Sequence, residues 1–190
     1  MSSRRIVALT TVFVITAMAL SACGGDPAAK EAKGLEQTAA TKIDAGDMSG
    51  AVAAYTQAIA ANPASDTAYE GRGNTYVSLQ QYDLGIADLT KAIDLAPERG
   101  GPYYGRGIAY RLQGNLDTAI ADFSHAIGDR TKTRWRAALY ERGLAYMEKG
   151  DLVNARADFE RIIALEKERP GEGDASWAVK AQEELDRLGP

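Results

Sequence analysis

Residues 103–123, YYGRGIAYRLQGNLDTAIADF, decide the fold of this chain. They hold Tyr103-x2-Arg106-Gly107-x2-Tyr110 and then Ala119-x3-Phe123. Thirty-four residues earlier stand Tyr69-x2-Arg72-Gly73-x2-Tyr76 and Gly85-x3-Leu89. Thirty-six residues after Gly107, Gly143 sits in Leu139-x2-Arg142-Gly143-x2-Tyr146, followed by Ala155-x3-Phe159. Upstream, Ala51-x3-Tyr55 and Pro63 precede Gly85, Leu89 and Pro97 by 34 residues. A repeat of this length marks units that bury their apolar faces by stacking on one another.

Each recurring residue type has a physical reason. Gly73, Gly107 and Gly143 remove side chains where two helices approach closely, and Ala51, Ala119 and Ala155 are small for the same reason. Tyr76, Tyr110 and Tyr146 are expected to fill the remaining space opposite Tyr55, Leu89, Phe123 and Phe159. Gly46-Asp47, Gly114-Asn115 and Gly150-Asp151 suit a left-handed helix end followed by a cap. Pro63 and Pro97 end second helices.

These motifs resemble the tetratricopeptide repeat (TPR), a 34-residue pair of antiparallel helices. The resemblance implies an all-α, right-handed superhelical solenoid of about four helix-turn-helix units with a C-terminal capping helix. The expected divisions are 27–65, 66–99, 100–133 and 136–169, then a cap over 174–188. The first unit departs from the pattern, with Thr38, Ala39 and Lys42 where the others carry Arg, Gly and Tyr. In the cap, Asp174 is placed to start a helix that Gly189 stops, and Trp177, Ala181, Leu185 and Leu188 share one side.

Two charges recur together. Arg72, Arg106 and Arg142 precede the packing glycines, while Asp88, Asp122 and Asp158 precede Leu89, Phe123 and Phe159. The first unit lacks both. An Arg–Asp ion pair within each of the last three units, or between neighbouring units, follows as an expectation.

The N-terminal 22 residues read as a targeting segment. Arg4 and Arg5 precede the uncharged run Ile6–Leu20, short for a permanent span of about 20 apolar residues. An ordinary signal peptide or an uncleaved span would share those features. The run ends in Leu20-Ser21-Ala22-Cys23, and Cys23 is the chain's only cysteine. That tetrapeptide resembles the bacterial lipobox. The resemblance implies cleavage before Cys23, a diacylglyceryl group on its sulfur, and an acyl chain such as palmitate on the new amino terminus. Residues 23–26 would form the tether. Without residues 1–22, Lys+Arg falls from 22 to 20 against 26 Asp+Glu, a net charge of -6.

The composition narrows function. One Cys and one His exclude a Cys/His zinc cluster, and the acidic balance argues against nucleic acid. No cofactor or metal is expected. A nucleophilic site would need an available His, and His125 reads as a surface residue. Catalysis by carboxylates such as Glu70 and Glu148 would lack a paired nucleophile. The chain therefore reads as a non-enzyme.

In the TPR family the first helices line a concave groove for peptides. By repeat register the groove residues would be Glu36, Ala40 and Ile43, then Glu70, Asn74, Val77 and Ser78. Tyr104, Ile108, Arg111 and Leu112 follow, then Tyr140, Leu144, Met147 and Glu148. Some of these, Leu144 and Met147 foremost, have packing beneath the end cap as an alternative. A carboxylate clamp of the chaperone-binding kind is not expected, because Glu36, Ala40, Gly71, Gly101 and Gly105 hold its places. Arg130, Lys132, Arg134 and Arg136 form a basic run, either solvated or a docking patch for an acidic partner or headgroups.

Together these features resemble envelope TPR lipoproteins. They imply a membrane-tethered adaptor or scaffold for protein or peptide partners in the cell envelope. The alternative is a pilotin-like assembly factor for a pilus or secretin complex. Gly24 after the cysteine favours the periplasmic face of the outer membrane. In a host with one membrane, the outer face of the cytoplasmic membrane is expected instead.

Overall fold

The computed structural model describes residues 26–128, 135–168 and 176–189. Among them are nine α-helices and no strand. They are α1 (Pro27–Asp44), α2 (Met48–Ala61), α3 (Asp66–Ser78), α4 (Tyr82–Leu95), α5 (Gly100–Leu112), α6 (Leu116–Gly128), α7 (Trp135–Lys149), α8 (Leu152–Glu168) and α9 (Ser176–Leu188). Consecutive helices pair as hairpins α1–α2, α3–α4, α5–α6 and α7–α8. Each hairpin leans on the next, and α9 closes the stack against α8 and α7. No helix among the described residues is long and apolar enough to cross a membrane. Residues 1–22, Cys23 and the basic positions Arg130, Lys132 and Arg134 lie outside the described residues.

Local chemistry sets the helix ends. Asp26 caps α1 by accepting from the Ala28 amide at 3.0 Å, and Pro27 occupies the first helical position. Asp47 caps α2 through the Gly50 amide at 2.8 Å. The first, third and fourth hairpin turns pass through Gly46, Gly114 and Gly150 at φ of 77°, 79° and 83°. In the second hairpin Gln80 takes that conformation at φ 61°. A side chain there costs energy that glycine avoids.

Close approach of helices explains the packing glycines. A Cβ on Gly107 would lie 2.7 Å from the Phe123 ring, and one on Gly143 would lie 2.7 Å from Phe159. Both phenylalanines are fully buried. Tyr110 and Tyr146 pack at the margins of these clusters, with the guanidinium groups of Arg106 and Arg142 6.0 and 5.9 Å from their ring centres.

The ion pairs form inside each of the last three units, and all are bidentate. Arg72 meets Asp88 at 2.7 and 2.8 Å. Arg106 meets Asp122 at 2.8 and 2.9 Å, and Arg142 meets Asp158 at 2.8 and 2.7 Å. The free amino group of each arginine reaches back one unit, to Thr56, Thr90 and Ser124 at 3.1, 3.0 and 2.9 Å. One guanidinium therefore ties three helices, and its aspartate holds it above its usual pKa range.

The unpatterned start of the first unit is a regular 18-residue helix, because Ala32, Leu35, Ala39 and Ile43 supply its apolar stripe against α2. The cap helix is Ser176–Leu188, ended by Gly189 at φ 71°, and Asp174 falls outside the described residues. Arg136 is buried, not part of a solvated or docking surface. The first turn of α7 packs on the end of α8, and its guanidinium meets the Leu165 carbonyl at 3.5 Å and Glu166 at 3.9 Å.

Candidate functional site

The first helices α1, α3, α5 and α7 line one face of the stack, and their side chains divide it into two unlike halves. In the C-terminal half the groove positions are already occupied by the chain itself. Tyr140, Leu144 and Met147 pack into the cluster that holds Phe159, Trp177, Leu185 and Leu188. The Tyr140 ring lies 5.7 Å from Phe159 and 5.4 Å from Trp177, and its hydroxyl donates to Glu184 at 3.3 Å. All three are half-buried there, because α9 covers the apolar face that another unit would cover.

Tyr104 and Ile108 pack on the Phe123 cluster, with the Tyr104 ring 6.1 Å from Phe123. Arg111 reaches across to α7, where it meets Glu141 at 3.0 Å and Glu148 at 2.5 Å. Burial pushes the Glu141 carboxyl above its ordinary range, with Arg111 opposing. Leu112 remains exposed at the turn.

The N-terminal half is open. A pocket of about 480 Å³ lies among α1, α2, α3 and the start of α5, bounded by Ile43, Met48, Tyr55, Glu70, Asn74, Arg99 and Gly101, with Thr67 and Ser78 on its wall. Glycine leaves space for two of the side chains that line this pocket. A Cβ on Gly71 would fall 2.3 Å from Tyr55 Cζ and 2.6 Å from its hydroxyl. A Cβ on Gly105 would fall 2.2 Å from Asn74 Oδ1. Each glycine gives up its side chain so that a polar tip from the neighbouring unit can reach the groove.

Hydrogen bonds fix the pocket walls. Glu36 accepts from Ser65 at 2.6 Å and Thr67 at 2.9 Å, tying α1 to the start of α3. Arg99 clasps Asp66 and also Glu70, the latter at 2.5 Å, tying the start of α5 back to α3. Glu70 is therefore a buried, clasped carboxylate and not an exposed contact. Val77 turns into its own hairpin, where a Cβ on Gly85 would come 2.7 Å from its Cγ2. Of the positions assigned by register, the structure gathers Ile43, Glu70, Asn74 and Ser78 at the pocket and places the others elsewhere.

Repeat register missed Tyr55 and Arg99. Tyr55 stands where later units carry Leu89, Phe123 and Phe159, so its period marks it as core. Its hydroxyl was the available signal. Arg99 is adjacent to a helix start, where register assigns no groove role. His125 is exposed and stacks on Tyr103 at 4.7 Å, away from any paired carboxylate of the pocket. Among the described residues no group of three His, Cys, Asp or Glu side chains could hold a metal ion.

Two family models, both described as tetratricopeptide repeat, match residues 39–99, 71–132 and 137–166. The chain is a TPR protein. No curated protein matches it in sequence. Several solved TPR structures are similar. MamA residues 41 to the end from Desulfovibrio magneticus RS-1 superposes with a TM-score of 0.67 at 21% identity, over 74% of this chain and 78% of that one. A crystal structure of MamA gives 0.61 at 25% identity, over 78% and 95%. The first TPR domain of Spaghetti (RPAP3), solved with the HSP90 peptide SRMEEVD, gives 0.61 at 19% identity, over 64% and 98%. At such identities the likeness speaks for the shared fold.

Proposed function

We propose that this TPR protein is a lipid-anchored, non-catalytic adaptor of the bacterial cell envelope. It takes an extended polypeptide segment in the pocket-bearing half of its concave face. The observation that carries this is the Asn74 amide. It lines the pocket between Gly71 and Gly105, and no hydrogen-bond partner among the described residues engages it. A carboxamide offers one acceptor and two donors, matching the carbonyl and N–H of a passing peptide group. Thr67 and Ser78 extend that polar track along α3. The peptide held by the similar RPAP3 domain supports the same use of the fold by analogy.

Anchoring rests on the Leu20-Ser21-Ala22-Cys23 junction and on the short tether. Asp26 already caps α1, so only Gly24 and Gly25 separate the cysteine from the folded stack. Three residue steps reach about 10 Å, which keeps the groove close to the bilayer. Two or more acyl chains would make that attachment stable.

Two substitutions separate the two parts of this function. Cys23→Ser should release the chain from the membrane fraction and leave a pocket that still binds. Asn74→Ala should leave the chain in the membrane and lower partner recovery. A bare Cys23 thiol on a soluble protein from its host would contradict the anchor, and Asn74→Ala with full recovery would contradict the groove.

A further inference from the structure

Tyr55 is 8% exposed, yet its ring end reaches the pocket through the gap left by Gly71. A buried phenol normally finds a hydrogen-bond partner. Among the described residues none engages this hydroxyl. The surrounding charges are unequal. Asp66 and Glu70 share one guanidinium, that of Arg99, while Glu36 has only the hydroxyls of Ser65 and Thr67. Glu70 and Arg99 line the pocket itself as a pair, and Asp66 and Glu36 stand outside its lining, so among the described residues this neighbourhood sets three carboxylates against one cation. Burial, and then the fields of Glu36 and Glu70, push the Tyr55 phenol above its ordinary range, so it stays neutral and able to accept.

The geometry points to a subsite for one cationic side chain, lysine or arginine, carried by the bound polypeptide, with the Tyr55 oxygen accepting one of its N–H bonds. This rests on the groove being a polypeptide site. Ile43 and Met48, which also line the pocket, give the alkyl stem an apolar surface. The excess of carboxylates stabilises the cationic head and repels an acidic one.

The test uses the chain from Cys23 onward and four acetylated, amidated peptides, Ser-Ala-X-Ala-Ser, with X as Lys, Arg, Gln or Glu. Amide shifts at Gly71, Asn74 and Gly101 are followed by NMR up to millimolar peptide. The Lys and Arg peptides should bind about tenfold more tightly than the Gln peptide, and the Glu peptide most weakly. That advantage should fall to roughly twofold in Tyr55→Phe, which keeps the ring, and in Glu36→Gln. Equal binding of Lys and Gln peptides, or an advantage unchanged in both variants, overturns the cation subsite while the groove stands. If no peptide shifts these amides, the polypeptide site fails and the subsite fails with it. Should Tyr55→Phe unfold by circular dichroism, Glu36→Gln decides alone.

Discussion

Arg106 grips both oxygens of Asp122 at 2.8 and 2.9 Å while its remaining amino group bonds Thr90 of the preceding unit at 3.0 Å. The aspartate is 6% and the arginine 17% exposed in their side chains, so most of the pair is out of water. Removing one member strands the other. Asp122→Ala should lower unfolding free energy by roughly 2–3 kcal/mol, somewhat below the cost of breaking a fully buried pair. The double variant Arg106→Met, Asp122→Leu should recover most of that loss. Urea titrations measure both, and an additive double variant would mean the pair is not coupled.

Two glycines in helices should respond oppositely to alanine. A Cβ at Gly34 meets nothing within 4 Å, so Gly34→Ala should stabilise by about 0.5–1 kcal/mol. At Gly107 the same atom collides with the buried Phe123 ring, and Gly107→Ala should destabilise by about 1–3 kcal/mol. Thermal or urea midpoints of the two variants decide this.

Gln80 is the one described non-glycine residue at positive φ. Gln80→Gly should therefore raise stability by up to about 1 kcal/mol, and Gly114→Ala, at φ 79°, should lower it by a similar amount. A Gln80→Gly variant less stable than the parent would show that the glutamine side chain contributes more than its backbone costs.

Glu141 gives the stack a pH dependence of definite sign. Its folded carboxyl is raised by burial, so the folded state binds the proton more tightly than the unfolded chain does. Its favourable contribution is complete below the unfolded pKa and is lost as pH rises through the folded value. From about pH 4, the ordinary glutamate range, upward through the raised folded pKa, Glu141→Gln should gain stability relative to the parent as pH rises. Urea midpoints across that range check the slope, and a gain on acidification would reverse the sign.

The sequence made contacts within a unit legible and hid those between units. The bidentate pairs could be read because Arg72, Arg106 and Arg142 vary together with Asp88, Asp122 and Asp158 across one hairpin. Thr56, Thr90 and Ser124 also recur at 34 residues, but their bond crosses to the next unit, where register alone sets no distance. The groove follows the same rule. Register placed Asn74 on the concave side, but it did not show that α9 covers Tyr140 or that Arg99 folds back onto Glu70. Both depend on how neighbouring helices superpose, which single-chain periodicity does not encode. Tyr55 was hidden by its period, because a core position and a pocket floor differ only in what Gly71 leaves uncovered.

The most direct test of the concave pocket as the polypeptide site is crosslinking in the native host from two positions. A photoreactive residue replaces either Ser78, on the pocket wall, or the exposed Lys91 on α4. A discrete polypeptide adduct from Ser78 that disappears with Asn74→Ala, and none from Lys91, is the predicted result. Equal adducts from both positions, or adducts from Lys91 alone, would contradict it.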